Sequence, residues 1–248
     1  MRIASKSDVG RVRRTNQDCY AAAELSGGVI WAVVCDGMGG ANGGNIASEC
    51  AVKVFSEQIS SAFRPGMGSN SVRTMLQSAV YAANSQIYDM SRAVDSLGGM
   101  GTTIVAAVVM NGTAHLMHAG DSRAYLIEKT GDSYELKQIT RDHSVVSEMV
   151  QTGQLTEQEA STDPRRNVIT RALGVDEMVE IDYNEVSLPK DSFILICTDG
   201  LTNHVTAEEI LNIIKTETET FYEYPQKLVD LANENGGGDN ITVLLIAE

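Results

Sequence analysis

Five aspartates hold the chemical interest of this 248-residue sequence. Asp18, Asp36, Asp121, Asp199 and Asp239 each stand at an end of an apolar run, four of them beside or near glycine. One aspartate in such a place is a turn residue, its short carboxylate bonding nearby backbone. Repetition at runs that read as buried strands points instead to convergence, because strands of one sheet can bring such ends together. Two carboxylates about 4 Å apart repel by roughly 4 kcal/mol at an effective dielectric near 20, so a cluster of them calls for counter-ions. Ligands that are all oxygen, with no Cys or His, suit Mg²⁺ or Mn²⁺ rather than zinc. Paired divalent ions suit phosphoryl chemistry, since they activate a bridging water and neutralise phosphate oxygens.

The elements that must position these acids can be read from the pattern of apolar residues. Val29 to Gly40, VIWAVVCDGMGG, is an apolar run without alternation, the mark of a strand buried on both faces, and it delivers Asp36 to its own end. Glycines at 37, 39 and 40 allow a sharp turn there. Ahead of it, residues 1–23 read as two short strands around a Gly10 turn and a polar stretch holding Arg13 and Arg14. Apolar spacing from Ile46 to Ala62 predicts a helix, and a second is expected from an N-cap at Ser71 to Val94. Residues 98–112 form a glycine-rich entry and a buried strand, and Asn111-Gly112 is a hairpin turn. His115 and His118, three apart on a strand, point to opposite faces, which argues against a shared metal.

A polar, helical excursion follows Thr140 and closes on Asp163-Pro164-Arg165-Arg166, where the arginines could meet an anion or merely balance the acidic surface. Beyond it come strands at EIDYNEVSL and FILICTDGL, a helix over 206–216 capped by Thr206, a helix at YPQKLVDLANEN, and a last buried strand, ITVLLIA. Asp199-Gly200 repeats the arrangement of Asp36-Gly37.

Length and a 43% hydrophobic content suit one domain spanning residues 1–248. A net charge of -14 and a pI near 4.7 argue against nucleic-acid binding, which needs clustered Lys and Arg. The N-terminus lacks the apolar core of a signal peptide, and no run approaches the roughly 20 residues of a membrane helix, so a cytoplasmic protein off the membrane is expected. Cys19, Cys35, Cys50 and Cys197 show no C-x-x-C spacing, at least two lie in apolar strand-like runs, and they read as buried free thiols rather than disulfides or zinc ligands.

Taken together, R-R-T-N-Q-D at 13–18, D-G-M-G-G at 36–40, G-T-T at 101–103, G-D-S-R at 120–123, D-P-R-R-N at 163–167, T-D-G-L at 198–201 and G-D-N at 238–240 resemble the motifs of the metal-dependent protein phosphatases of type 2C, the PPM family, in their compact bacterial form. The ordered set spans nearly the whole chain. The resemblance implies an α+β fold, a central β-sandwich of two antiparallel sheets flanked by helices, with a flap at 144–169 that helps choose substrates. It implies that Asp36 bridges two metal ions, that the Gly37 carbonyl joins one of them, and that Asp199 and Asp239 complete the other. Asp121 with Asp199 would hold a weaker third ion, Asp18 would hold metal-bound water, and Arg13 would clamp the phosphate. Arg165, in the flap, is the second candidate for substrate binding. The reaction implied is hydrolysis of phosphoserine or phosphothreonine in proteins by direct attack of a metal-bridging water, reversing a Ser/Thr kinase that is itself a candidate substrate.

Three positions depart from relatives. Met38 stands where some members have a histidine proposed as general acid, Gln17 where many have glutamate, and Asn203 where some have an acid near the third ion. Rival readings are weaker. GMGGANGG breaks the G-x-G-x-x-G register at Asn42 and no Walker lysine follows, and intact metal aspartates argue against a domain that only binds phosphoproteins. Arg13 and the full flap also favour a general Ser/Thr phosphatase over the branch that acts on anti-sigma antagonists.

Overall fold

The computed structural model describes residues 1–215 and 220–248, apart from the side chains at 41 and 42. In chain order, β1 (Arg2–Asp8), β2 (Asp18–Leu25) and β3 (Val29–Met38) precede two long helices, α1 (Gly40–Ala62) and α2 (Ser69–Ala93). Next come β4 (Gly101–Thr102), β5 (Ile104–Met110), β6 (Thr113–Ala119), β7 (Arg123–Thr130) and β8 (Ser133–Gln138). The excursion holds α3 (Val145–Gln151) and α4 (Glu157–Thr162). The chain closes through β9 (Asp182–Ser187), β10 (Phe193–Cys197), α5 (Asp199–Thr202), α6 (Ala207–Ile214), α7 (Tyr224–Glu234) and β11 (Ile241–Ala247).

Two antiparallel sheets result. One runs β1-β11-β10-β7-β8, the other β2-β3-β5-β6-β9 with β4 paired to β3. Side chains alternate across a strand, so an apolar run without polar gaps must be covered twice. Ile30, Ala32 and Val34 of β3 meet Ile194, Ile196, Leu244 and Ile246 of the other sheet, which makes the inner core. Val29, Trp31, Val33 and Cys35 face α1 and α2, where Phe55, Ile59, Leu76 and Ile87 are fully covered. On the opposite outer face, Leu195, Val243 and Leu245 pack against Ile210, Leu228 and Val229 of α6 and α7. The layers are therefore helix, sheet, sheet and helix, as expected of an α+β sandwich.

Local details follow the expected chemistry with three adjustments. Asn111 and Gly112 both have positive φ, 51° and 68°, and carry the β5–β6 hairpin. Thr206 caps α6 through a capping box with Glu209, although Thr216, the end of the expected helix, lies outside the described residues. The second helix starts at Ser69 rather than after Ser71, because extended Gly68 already turns its carbonyl to the Ser71 and Val72 N–H groups. The first helix begins at Gly40, where glycines leave no apolar period to read. Asp199, expected at the end of a strand, opens the short helix α5. The four cysteines are free thiols, Cys35 and Cys197 buried but Cys19 and Cys50 only partly so, and no helix among the described residues is long and apolar enough to cross a membrane.

Candidate active site

Alternation along the strands decides where the acids go. Asp36 continues the parity of Ile30, Ala32 and Val34, so its side chain belongs to the space between the sheets at their open end. Asp18 lies directly opposite Asp36 in the β2–β3 register. Like charges in that position are destabilising, and something must offset them. Part of the answer comes from the other sheet: the Thr198 and Thr242 hydroxyls donate to Asp18 Oδ2 at 2.9 and 2.7 Å. Asp18 thus stitches the two sheets together where the inner core ends.

Glycine brings the remaining acids close. A Cβ on Gly200 would collide with the Asn240 carbonyl, so only glycine lets the start of α5, with Asp199, approach the segment that carries Asp239. Likewise a Cβ on Gly37 would strike the Gly44 carbonyl, where α1 crosses the end of β3. Asp121 sits in the turn between β6 and β7. That turn is fastened to β3 through Thr103, whose hydroxyl bonds Ser122 Oγ at 2.7 Å and accepts the Asp36 N–H at 3.0 Å.

Asp36, Gly37, Asp121, Asp199 and Asp239 line one cleft of about 500 Å³ together with Arg13, Arg14, Gln17, Met38, Asn167 and Ile169. Arg13 stands at its rim and donates to Asp239 Oδ2 at 2.7 Å. Asp18, the cross-strand neighbour of Asp36, does not itself line the cleft. Arg165 is not brought to the cleft: it folds onto Asp163, with Nη2 2.8 Å from Oδ2, and the excursion instead presents Asn167 and Ile169. Asn203 donates to Asp199 Oδ2 at 3.0 Å. Sequence reading missed Asn240, whose amide bonds the Val9 and Thr15 carbonyls and the Gln17 N–H, thereby fixing the loop that carries Arg13. The G-D-N motif contained it, but its partners are more than 200 positions away.

The electrostatics show an unmet demand for positive charge. Burial, then the charges of Asp18 and Asp199, push the Asp36 carboxyl well above its ordinary range. Asp18 is pushed up to about 7 by burial, against the pull of its two threonine hydrogen bonds. Asp121 rises to about 7 through burial and the Asp199 charge, and Asp199 rises through burial and the Asp239 charge. Asp18 Oδ1 and Asp199 Oδ1 are buried without a hydrogen-bond partner. Unpaired buried carboxylate oxygens, clustered, with no soft ligand among them, fit hard divalent cations such as Mg²⁺ or Mn²⁺.

A second cluster does not fit a metal. His118, His143 and Asp182 each offer an atom within 4.8 Å of the others. The two imidazoles, however, are stacked 4.5 Å apart at 12°, so their in-plane lone pairs run parallel and cannot converge on one ion. His143 Nδ1 accepts the Gly120 N–H, and Arg171 lies 3.2 Å from its Nε2 and 3.0 Å from Asp182. His115 stands on the other face, bonded to Tyr183.

A double sheet with carboxylates gathered at one end defines a class, the metal-dependent protein phosphatases, and comparison with known proteins agrees. The family described as Protein phosphatase 2C matches residues 11–237, and this chain belongs to that family. It is 36% identical over 246 residues to the serine/threonine phosphatase stp of Listeria monocytogenes, covering 99% of this chain and 95% of that one. The solved serine/threonine phosphatase of S. agalactiae superposes with a TM-score of 0.90 at 35% identity, covering 100% of this chain and 99% of the other. The catalytic domain of the phosphatase PstP, solved with two manganese ions, superposes at 0.83 and 32% identity, covering 98% and 96%.

Proposed function

We propose that this chain hydrolyses phosphoserine and phosphothreonine monoesters in proteins directly, without a phosphoenzyme, with Mn²⁺ or Mg²⁺ held by the aspartate cluster. The activity class, protein serine/threonine phosphatase, rests on the family and its relatives. The observation that carries the metal reading is the gathering of Asp36, Asp121, Asp199 and Asp239 in one cleft, with Oδ1 of Asp199 buried and unpaired.

Asp36, with the Gly37 carbonyl, Asp199 and Asp239 would hold two ions, and Asp121 with Asp199 a third, weaker one. Bound there, the ions supply charge that neutralises phosphate oxygens and lowers the pKa of an attacking water. Arg13 binds the phosphate: its guanidinium already reaches over the cleft, and a planar fork suits two phosphate oxygens. Asp18, through the free Oδ1, accepts a hydrogen bond from water and orients it, while Thr198 and Thr242 hold the other oxygen still. Met38 lines the cleft and has no proton to give, so the leaving alkoxide takes its proton from water. Cys35 and Cys197 are buried and their thiols are pushed up by that burial, which removes them as nucleophiles. The substrates are phosphoproteins, and a Ser/Thr kinase whose products this activity removes is the partner the reading calls for.

The test is hydrolysis of an aryl phosphate and of a phosphothreonine peptide. Turnover should need Mn²⁺ or Mg²⁺ and stop with EDTA. Full turnover in EDTA would sink the mechanism.

A further inference from the structure

Two histidines outside the cleft make the same unusual contact. His143 Nδ1 accepts the backbone N–H of Gly120 at 3.2 Å, and His204 Nε2 accepts that of Gly238 at 2.9 Å. Each glycine immediately precedes a cleft aspartate, Asp121 in one case and Asp239 in the other. Neither histidine lines the cleft. We propose that His143 and His204 are positioning residues that aim Asp121 and Asp239 by holding the peptide just ahead of each, a role that rests on the metal reading above.

The contacts are built rather than incidental. His143 holds Gly120 from both sides, since its own N–H donates to the Gly120 carbonyl at 2.9 Å. Its side chain is 2% exposed and stacked on His118. Its carbonyl accepts the Thr170 N–H at 2.8 Å, and the next residue, Ser144, bridges to Ile169. The stem of the flap and the Asp121 turn are therefore pinned by one residue. His204 is likewise held in place, its carbonyl accepting from Asn235 Nδ2 at 2.9 Å. An added Cβ at Gly238 would come within 3.0 Å of the same Nε2. As acceptors the rings carry their protons on the opposite nitrogens, Nε2 in His143 and Nδ1 in His204. An aspartate's carboxylate can be aimed to within the tolerance of a metal site only if the backbone below it is fixed, and a turn has no sheet ladder to fix it.

The use of different ring nitrogens allows a sharp test. Asparagine places its amide oxygen near the position of Nδ1, and glutamine near that of Nε2. Leu, Asn and Gln variants at 143 and at 204 would be compared by two readouts, amide exchange of Gly120 and Gly238 in the metal-free chain and Mn²⁺ titration followed by electron paramagnetic resonance. His143→Leu should speed exchange at Gly120 and weaken the weakest Mn²⁺ site by about 10- to 100-fold, as loss of such supporting groups does elsewhere. His143→Asn should restore both and His143→Gln should not. At 204 the order reverses: His204→Gln restores exchange at Gly238 and Mn²⁺ affinity, and His204→Asn does not. In the variants that are not restored, kcat should fall with KM little changed. Equal behaviour of Asn and Gln at either position overturns the proposal there, as do Leu variants that leave exchange or Mn²⁺ affinity unchanged. If a Leu variant fails to fold, the Asn and Gln pair still decides. The exchange arm needs neither metal nor substrate, so it stands even if phosphatase activity is not found.

Discussion

On either side of the Gly120 turn lie two clusters of ionisable groups that differ in what their polar atoms are doing. In the aspartate cluster, buried oxygens of Asp18 and Asp199 lack partners and the carboxylates raise one another's pKa. In the histidine cluster, Arg171 pairs with Asp182, protonated Nε2 of His143 faces Asp182 Oδ2 at 3.4 Å, the Gly120 N–H takes Nδ1, and the rings lie parallel. His118 Nδ1 alone lacks a partner there. A metal site needs free lone pairs that converge on a point, together with an excess of negative charge. The first gathers its carboxylates in one cleft with an excess of negative charge and unpaired oxygens, and in the second Arg171 already neutralises Asp182. The acids therefore mark a place where folding leaves a deficit for a ligand to fill, and the histidines mark a joint.

The sharpest way to break this contrast is to remove one acid from each cluster. Asp36→Asn should cut turnover by at least about 100-fold, the upper range for loss of supporting groups around a metal, and should abolish stabilisation by Mn²⁺. Asp182→Asn should leave the number of Mn²⁺ ions bound unchanged in calorimetric titration. A change in that number would move a metal into the histidine cluster.

Metal addition comes next. At a hundred times its dissociation constant, Mn²⁺ should stabilise the wild-type chain by about 2.7 kcal/mol in denaturant melts, reversed by EDTA. No shift would remove the aspartates from metal binding.

The pH dependence of the metal-free chain should have opposite signs in the two clusters. Asp18 and Asp121 titrate near 7 when folded against 3.8 unfolded, so their contribution is full below about 4 and is lost as pH rises toward 7. His143 titrates near 4 when folded against 6.5 unfolded, so its contribution is lost as pH falls from 6.5 to about 4. Thermal melts across this range should show Asp121→Asn flattening the loss that accompanies rising pH and His143→Asn the loss that accompanies falling pH. Equal slopes in variant and wild type would count against the assignment.

At the rim, effects should shrink. Arg13→Ala should raise KM for a phosphopeptide about tenfold with stability changed by less than about 1 kcal/mol, because its partner Asp239 is partly exposed. Arg165→Ala should alter kcat/KM by no more than about twofold, as expected of a surface side chain occupied by its neighbour. A large loss would restore Arg165 to the substrate path.

Much of this was legible in the chain. The family resemblance implied the sandwich, and the strand and helix texture agreed with it, since apolar runs without alternation must be covered on both faces. Helix starts were less readable: glycines at 39 and 40 carry no periodicity, and the Gly68 carbonyl did the work expected of Ser71. The aspartates were legible as a set because each ended a buried strand or the turn beside one. That Arg165 pairs with Asp163 and stays out of the cleft was not legible, because nothing in a local motif reveals which neighbour a flexible side chain will take.

What the sequence determined by itself is the identity of the acids and their places at the ends of apolar runs, since residue type and hydrophobic pattern are local properties of the chain. What only the tertiary structure decided is which groups remain unpaired. Thr198 and Thr242 reach Asp18 from the opposite sheet, Asn240 anchors the loop of Arg13, and the Gly120 N–H takes His143 Nδ1. Those are contacts between segments far apart in the chain, and hydrogen-bond satisfaction exists only once they have met.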